Sequence, residues 1–342
     1  MSLQQVYDGN DFHLKIFVFE YVTGGGLYRE PLPTSLVREG DMMLRTLLSD
    51  LSEIPNVETI TSRDCRLPEL PFADEIVAIT PDVDFQPCWQ QCVDAADAVW
   101  LIAPETGGVL ADLSQRVVDA GKVLLGCQPA AVAMATSKLA TSAQLAAHGI
   151  PVVPTFRLQD LPEGDGPWVA KPDDGAGCEE TRRFAHRADM QAWLNVAGRV
   201  QSHSLQPYLP GEAASLSMLC AGGRAWLLSC NRQLITISED TFSYHGNVLN
   251  GMANHWAAFE DLAQRIAQAL PGLAGYVGVD LIVSDAGMTV LEINPRLTTS
   301  YVGLRRAMDC NPAQLVLDMF YNAAFERPLT MARNVVEISL DQ

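Results

Sequence analysis

The chain has 342 residues, 48% hydrophobic and 19% charged, with glycine and proline spread throughout; this is the make-up of an ordinary globular protein, long enough for two or three packed lobes. A formal net charge of −18 would repel a phosphate backbone, and no local cluster of Lys and Arg reverses it, so no nucleic-acid partner is expected. Eight Cys without a C-x-x-C pair fit neither a zinc knuckle nor a disulfide scaffold, the first residues lack the apolar core of a secretory signal, and no apolar run approaches the ~18 residues of a membrane span, so a cytoplasmic protein with reduced thiols and no membrane partner is expected.

In chain order, Leu14 to Glu20 (LKIFVFE) reads as a buried strand running into Tyr21-Val22-Thr23-Gly24-Gly25-Gly26, a turn no helix tolerates. Apolar residues at helical spacing from Pro33 to Leu51 predict a helix, and Ala98 to Ala103 a second strand, followed by the loop Pro104 to Gly108. This alternation predicts a parallel sheet covered by helices, with functional loops at the carboxyl ends of its strands. Ala130 to His148 reads as one Ala-rich helix stopped by Gly149 and Pro151. Beyond it, Trp168 to Lys171 predicts a strand entering the turn Pro172-Asp173-Asp174-Gly175-Ala176-Gly177, then come a helix over Met190 to Val196 and a strand over Ser204 to Leu209, a small α+β lobe. Ala213 to Cys220, Ala225 to Cys230 and Leu234 to Ile237 read as strands separated by Gly-Gly or polar turns. A helix over Phe259 to Leu270, paired strands over Tyr276 to Val283 and Met288 to Ile293, and a helix over Pro312 to Phe320 complete a third lobe. The lobes are expected at 1–128, 129–205 and 206–342. There is no internal repeat or low-complexity tract.

The segment Gly275 to Arg296, GYVGVDLIVSDAGMTVLEINPR, concentrates the chemistry. If Asp285-Ala286-Gly287 is a three-residue hairpin loop, Ser284 faces Met288, and counting outward puts Asp280 opposite Glu292, with Asn294 on the same face as Glu292. Two facing carboxylates repel, and a hard divalent cation relieves this; Mg²⁺ takes one or two carboxylates and completes its shell with waters and phosphates. The plain alternative is a solvated hairpin face. The six His residues form no metal-ligand spacing, and no nucleophile elbow is present. Gly24-Gly25-Gly26 lacks the G-x-G-x-x-G register of a dinucleotide site.

The D-x₁₁-E-x-N-P-R pattern of Asp280, Glu292, Asn294 and Arg296 resembles the metal and phosphate signature of the ATP-grasp superfamily. The resemblance implies an α/β ATP-grasp architecture: an amino-terminal parallel-sheet lobe plus two α+β lobes sandwiching ATP. It implies Mg²⁺, or Mn²⁺ in its place, on Asp280, Glu292 and Asn294, and Arg296 stabilising the transferred phosphoryl group. Lys138 and Lys171 resemble the two lysines that grip ATP phosphates, with Lys171 also counted as catalytic. Asp173, Gly175 and Gly177 resemble the phosphate-covering loop, and Gln206, Tyr208 and Leu209 the adenine hinge. Glu212 is the expected ribose ligand, although the family commonly places that acid one residue later, where this chain has Ala213. Glu20, Thr23, Gly24, Glu105, Arg232 and Tyr244 lie in segments similar to a branch of small ATP-grasp ligases, that of tyramine–glutamate ligation in methanofuran biosynthesis, and are expected to meet substrate. For each a bland role also exists, since Glu20 and Glu105 suit loop and helix caps. The implied reaction is ATP-dependent, ADP-forming joining of a small-molecule carboxylate to an amine through an acyl phosphate, and a homodimer is the candidate assembly. Other ATP-grasp chemistry, including carboxyl or carbamoyl transfer, and a catalytically silent nucleotide-binding protein are the alternatives.

Overall fold

A computed structural model describes residues 13–175, 178, 180–196, 198–322, 325–326 and 331–340. The first part of the chain alternates strand and helix: β1 (Leu14–Glu20), α1 (Thr34–Ser52), β2 (Val57–Asp64), β3 (Glu75–Ile79), α2 (Phe85–Ala95), β4 (Ala98–Ile102), α3 (Val109–Asp119) and β5 (Val123–Leu124). The five strands form one parallel sheet in the order β3-β2-β1-β4-β5. β1 is buried along nearly its whole length, as its continuous apolar run requires in a sheet covered on both faces. The order reverses between β1 and β4, so their carboxyl ends, Glu20 and the Ala103–Glu105 loop, flank the crevice where such sheets bind ligands.

The helical run after β5 is two helices, α4 (Pro129–Thr136) and α5 (Lys138–Ala147), rather than one. Ser137 between them is extended, with φ −86° and ψ 115°, and its hydroxyl accepts from the Ala140 amide, so it caps α5. There follow β6 (Trp168–Pro172), β7 (Arg182–Phe184), α6 (Arg187–Leu194), α7 (Arg199–Ser202) and β8 (His203–Pro207), packed on their own cluster around Trp168, Phe184, Met190 and Leu205.

The remaining strands are β9 (Glu212–Ala221), β10 (Arg224–Ser238), β11 (Thr241–Leu249), β12 (Gly275–Ser284), β13 (Gly287–Asn294) and β14 (Val336–Ser339), with α8 (Trp256–Ala269), α9 (Tyr301–Met308) and α10 (Pro312–Tyr321) between them. Among the described residues β6 to β14 make one antiparallel sheet in the order β13-β12-β9-β10-β11-β7-β6-β8, with β14 on β11. Asn231-Arg232-Gln233 is not a turn, as its polarity suggests, but the middle of the 15-residue β10, and β11 pairs beside it. Alternate residues of this sheet present an apolar face, carrying Ala214, Leu216, Val279, Leu281 and Ile293, to the buried face of α8. Each fully buried Leu, Ile or Phe there contributes about 1.5–3 kcal/mol. The other face carries Asp280, Ser215, Asn231 and Gln233 and is the floor of the site. Among the described residues no helix is long and apolar enough to cross a membrane.

Candidate active site

Asp280 and Glu292 are direct partners across β12 and β13, by a route that differs from the sequence count. The turn holds two residues, Asp285 and Ala286, with Ser284 opposite Gly287, so the register near the turn is one step off the three-residue loop. A bulge between Val290 and Glu292 inserts Leu291 and restores the facing pair. Gly287, at φ +113°, sits where a side chain is strained.

Lys171, near the end of β6, places its Nζ 3.2 Å from Glu292 Oε2, and Lys138, first residue of α5, places its Nζ 3.5 Å from the same oxygen. Burial alone would push the Glu292 carboxyl up; the two ammoniums outweigh it and hold it down to about 2. Lys171 is itself shifted below the ordinary lysine range by burial, with Lys138 adding repulsion against the pull of Glu292. Lys171 and Arg296 pull on Asp280 only through their charge and do not offset its burial. Burial and the Glu292 charge push it up to about 7, although Asn294 Nδ2 donates to its Oδ2 at 3.2 Å and Gln233 Nε2 to its Oδ1 at 2.9 Å.

Arg296 pairs its Nε with Glu105 Oε1 at 2.9 Å, joining the loop after β13 to the loop after β4. Burial works against the guanidinium charge, but Glu105 overrides it and keeps the arginine pKa raised. Tyr244 on β11 also faces this group: burial, with the Asp280 charge added, raises its phenol.

Asp173 is differently employed from the expected phosphate-loop ligand. Its carboxylate is mostly buried and accepts from Leu139 N at 3.0 Å, Ser137 Oγ at 2.7 Å and Arg157 Nη2 at 3.1 Å, so it clamps the start of α5 and positions Lys138. The Gly175 carbonyl accepts from Lys138 Nζ at 2.7 Å, and a Cβ on Gly175 would lie 2.8 Å from Pro172 Cβ. Gly177 lies outside the described residues. In the hinge, Gln206 is buried with its amide donating to Thr155 Oγ1, the Tyr208 amide donates to the Pro167 carbonyl, and Leu209 follows half-buried.

Two expected residues point elsewhere. Arg232 lies on β10 opposite Ala214 and Glu212 two residues before it on β9, and the two form an ion pair on the face away from Asp280. The alternation of side chains along a strand separates Arg232 from its neighbours Asn231 and Gln233, which face the site. Glu20 is likewise absorbed by local structure. It is buried, accepts from Val22 N, Thr23 N and Thr23 Oγ1, and so ties the glycine loop. Burial raises its carboxyl. Thr23 is fully buried, and a Cβ on Gly24 would collide with the Glu20 carbonyl.

Sequence reasoning missed Glu39, Thr299 and Gln233. Glu39 Oε2 accepts from Thr299 Oγ1 at 3.2 Å, bringing α1 against the loop after Arg296. Its signal was Gly40, a glycine inside a helix, which marks a close approach; a Cβ there would sit 2.6 Å from the Glu20 carboxyl carbon.

Asp280, Glu292 and the Asn294 amide supply hard oxygen donors, and the two acids face each other across the hairpin, so these residues fit a divalent metal. Among the described residues no group of three or more His, Cys, Asp or Glu forms a complete cage. A hard cation here would complete its shell with water and phosphate oxygens.

Comparison with known proteins agrees with this arrangement. Residues 135–300 match the ATP-grasp domain family and residues 57–132 the pre ATP-grasp 3 domain family. The chain is 28% identical over 300 residues to a tyramine–L-glutamate ligase of Methanocaldococcus fervens, covering 85% of this chain and 89% of that protein. It is 27% identical over 295 residues to that of Methanocaldococcus jannaschii, covering 85% and 84%. A crystal structure of an ATP-grasp superfamily protein from Archaeoglobus fulgidus superposes with a TM-score of 0.68 at 22% identity, over 95% of this chain and 100% of that one. Residues 57–300 thus match a pre ATP-grasp domain followed by an ATP-grasp domain, and the relatives that the chain resembles along most of its length are ligases.

Proposed function

We propose that the protein is an ATP- and Mg²⁺-dependent, ADP-forming carboxylate–amine ligase that works through an acyl phosphate, joining tyramine to the γ-carboxyl of L-glutamate. The observation that carries this reading is the convergence of Lys138 and Lys171 on one oxygen of Glu292, with Asp280 opposite and Arg296 nearby: cations and carboxylates that a metal-bound polyphosphate would rearrange and neutralise. Two curated relatives that span 85% of the chain bear the tyramine–L-glutamate ligase name. The lobes are 1–128, 129–205 and 206–342, with ATP between the second and third.

In the mechanism, the substrate carboxylate attacks the γ-phosphorus in line, ADP leaves, and the amine then displaces phosphate from the acyl carbon. Such transfer is largely a matter of positioning and charge neutralisation. Lys138 and Lys171 bind phosphate oxygens, and Arg296, fixed by Glu105, faces the charge on the transferred group. Asp280, Glu292 and Asn294 would hold Mg²⁺, which would supply charge neutralisation for the phosphates. The loop carrying Gly175 excludes water that would hydrolyse the acyl phosphate.

The test uses L-glutamate labelled with ¹⁸O in its γ-carboxyl, ATP, Mg²⁺ and tyramine, followed by mass spectrometry of the products. One ¹⁸O per turnover should appear in inorganic phosphate alongside γ-glutamyltyramine. Product with unlabelled phosphate would reject the acyl phosphate, and turnover only with another acid or amine would reject the substrates while leaving the ligase class.

A further inference from the structure

An alkylamine near neutral pH is an ammonium ion, and nitrogen attacks an acyl carbon only when its lone pair is free. The site must therefore offer a proton acceptor beside the acyl phosphate. Asp280 and Glu292 are the metal-fitting pair, Glu105 is paired with Arg296, and Glu20 is closed into the glycine loop by three donors. Glu39 is differently placed. It comes from α1 in the amino-terminal lobe, is half-buried, reaches the loop three residues beyond Arg296, and lies near enough to Arg296 for the two charges to interact.

We propose that Glu39 is the catalytic group that receives the acceptor amine as its ammonium ion and takes its proton as nitrogen attacks, an assignment that rests on the ligase reading above. A directional chain of hydrogen bonds fixes the carboxylate. Asn247 Nδ2 donates to the Tyr244 hydroxyl at 3.0 Å and to Ser300 Oγ at 2.8 Å, Tyr244 is hydrogen-bonded to Thr299, and Thr299 donates to Glu39. An amide NH₂ only donates and a carboxylate only accepts, so the chain runs from Asn247 through Tyr244 and Thr299 to Glu39. Asn247 is 1% exposed and Thr299 7%, so the links have little water to exchange with. Charged and titratable groups facing Glu39 include Arg296 from the loop after β13, Tyr244 from β11 and Cys178. Arg296 favours the ionised carboxylate, the form that attracts an ammonium ion.

The step balances. The ammonium gives one proton to the Glu39 carboxylate, and the freed nitrogen pair forms the bond to the acyl carbon. The carbon–oxygen bond to phosphate breaks with its electron pair on oxygen, and the second nitrogen proton leaves with the phosphate as hydrogen phosphate. Glu39 then returns its proton to solvent.

The experiment compares two nucleophiles on wild type, E39Q and E39D, with L-glutamate, ATP and Mg²⁺. Tyramine arrives protonated, whereas hydroxylamine is largely uncharged at neutral pH and traps acyl phosphates as hydroxamates. In E39Q the tyramine rate should fall about 100-fold more than the hydroxamate rate, the scale of a lost general base. Its tyramine rate should also climb by about tenfold per pH unit above neutrality, as solution supplies neutral amine. E39D, with its carboxylate withdrawn by one methylene, should recover part of the loss, and thermal unfolding checks that the variants fold. An equal fall with both nucleophiles, or a tyramine rate within about twofold of wild type, would overturn the assignment. No hydroxamate from wild type would overturn the ligase reading itself, and this assignment with it.

Discussion

Glu292 is held ionised by two ammoniums while its partner Asp280 is driven toward neutrality, so the two acids are not interchangeable. Glu292→Gln removes the charge that both lysines face and one of the proposed metal oxygens. Mg²⁺-dependent ADP formation should fall by at least about 100-fold while the variant still unfolds in one cooperative transition. Coupled-enzyme ADP assay and circular dichroism check this, and retained turnover would remove Glu292 from the metal site. At this scale sequence reading found the acids and cations, because their spacing is local or belongs to a known signature. It misplaced Arg232 and Glu212, which alternation turns to the far face, and it missed Glu39, whose relevance depends on a contact with Thr299 260 residues away.

Elements decide how those side chains are aimed. Ser137 caps α5 and joins the Asp173 clamp that sets Lys138, so Ser137→Ala should cost about 1 kcal/mol, lower Tm by a few degrees and raise KM for ATP. Unchanged KM in steady-state kinetics would separate the cap from the lysine. Gly40→Ala tests the packing of α1: alanine is the better helix former by about 1 kcal/mol, yet its Cβ would press on the buried Glu20 carboxyl. Net destabilisation on the order of 1 kcal/mol in urea unfolding is expected, because Glu20 is held by three hydrogen bonds and has no room to yield. The hairpin shows how a sequence count reaches the right pair through the wrong loop. A two-residue turn and a bulge at Leu291 replace the three-residue loop, and nothing in the local pattern distinguishes them. The break at Ser137 was equally hidden, since the Ala-rich run on both sides keeps helical propensity.

Across the whole molecule α1 docks against the carboxyl-terminal lobe through a buried acid. Asp50 accepts from the Tyr301 hydroxyl at 3.0 Å and pairs with Arg305 at 3.3 Å, and burial pushes its carboxyl up to about 6. The folded chain therefore holds this proton more tightly than the unfolded chain, so the contribution of Asp50 is full below pH 3.8 and is lost as pH rises through 6. It amounts to on the order of 3 kcal/mol. Asp50→Asn lacks this titration, and its Tm relative to wild type should rise between pH 4 and 7 in scanning calorimetry. A pH-independent difference would show that Asp50 is ionised throughout. Another contact between lobes, Arg296 with Glu105, brings the amino-terminal crevice to the end of β13.

By itself the sequence determined the alternating first lobe, the glycine turn, the strands that carry Asp280 and Glu292, and the two lysines. Each is written in periodicity, in turn chemistry or in a short motif, all of which act between near neighbours along the chain. Only the tertiary structure decided that Lys138 and Lys171 share one carboxylate oxygen, that Asp173 and Glu20 hold loops, that Arg232 faces away, and that Glu39 closes on Thr299. Those outcomes depend on strand order, a bulge and the docking of α1 across the sheet, and such long-range pairings are set by the burial of whole faces rather than by the residues at the point of contact.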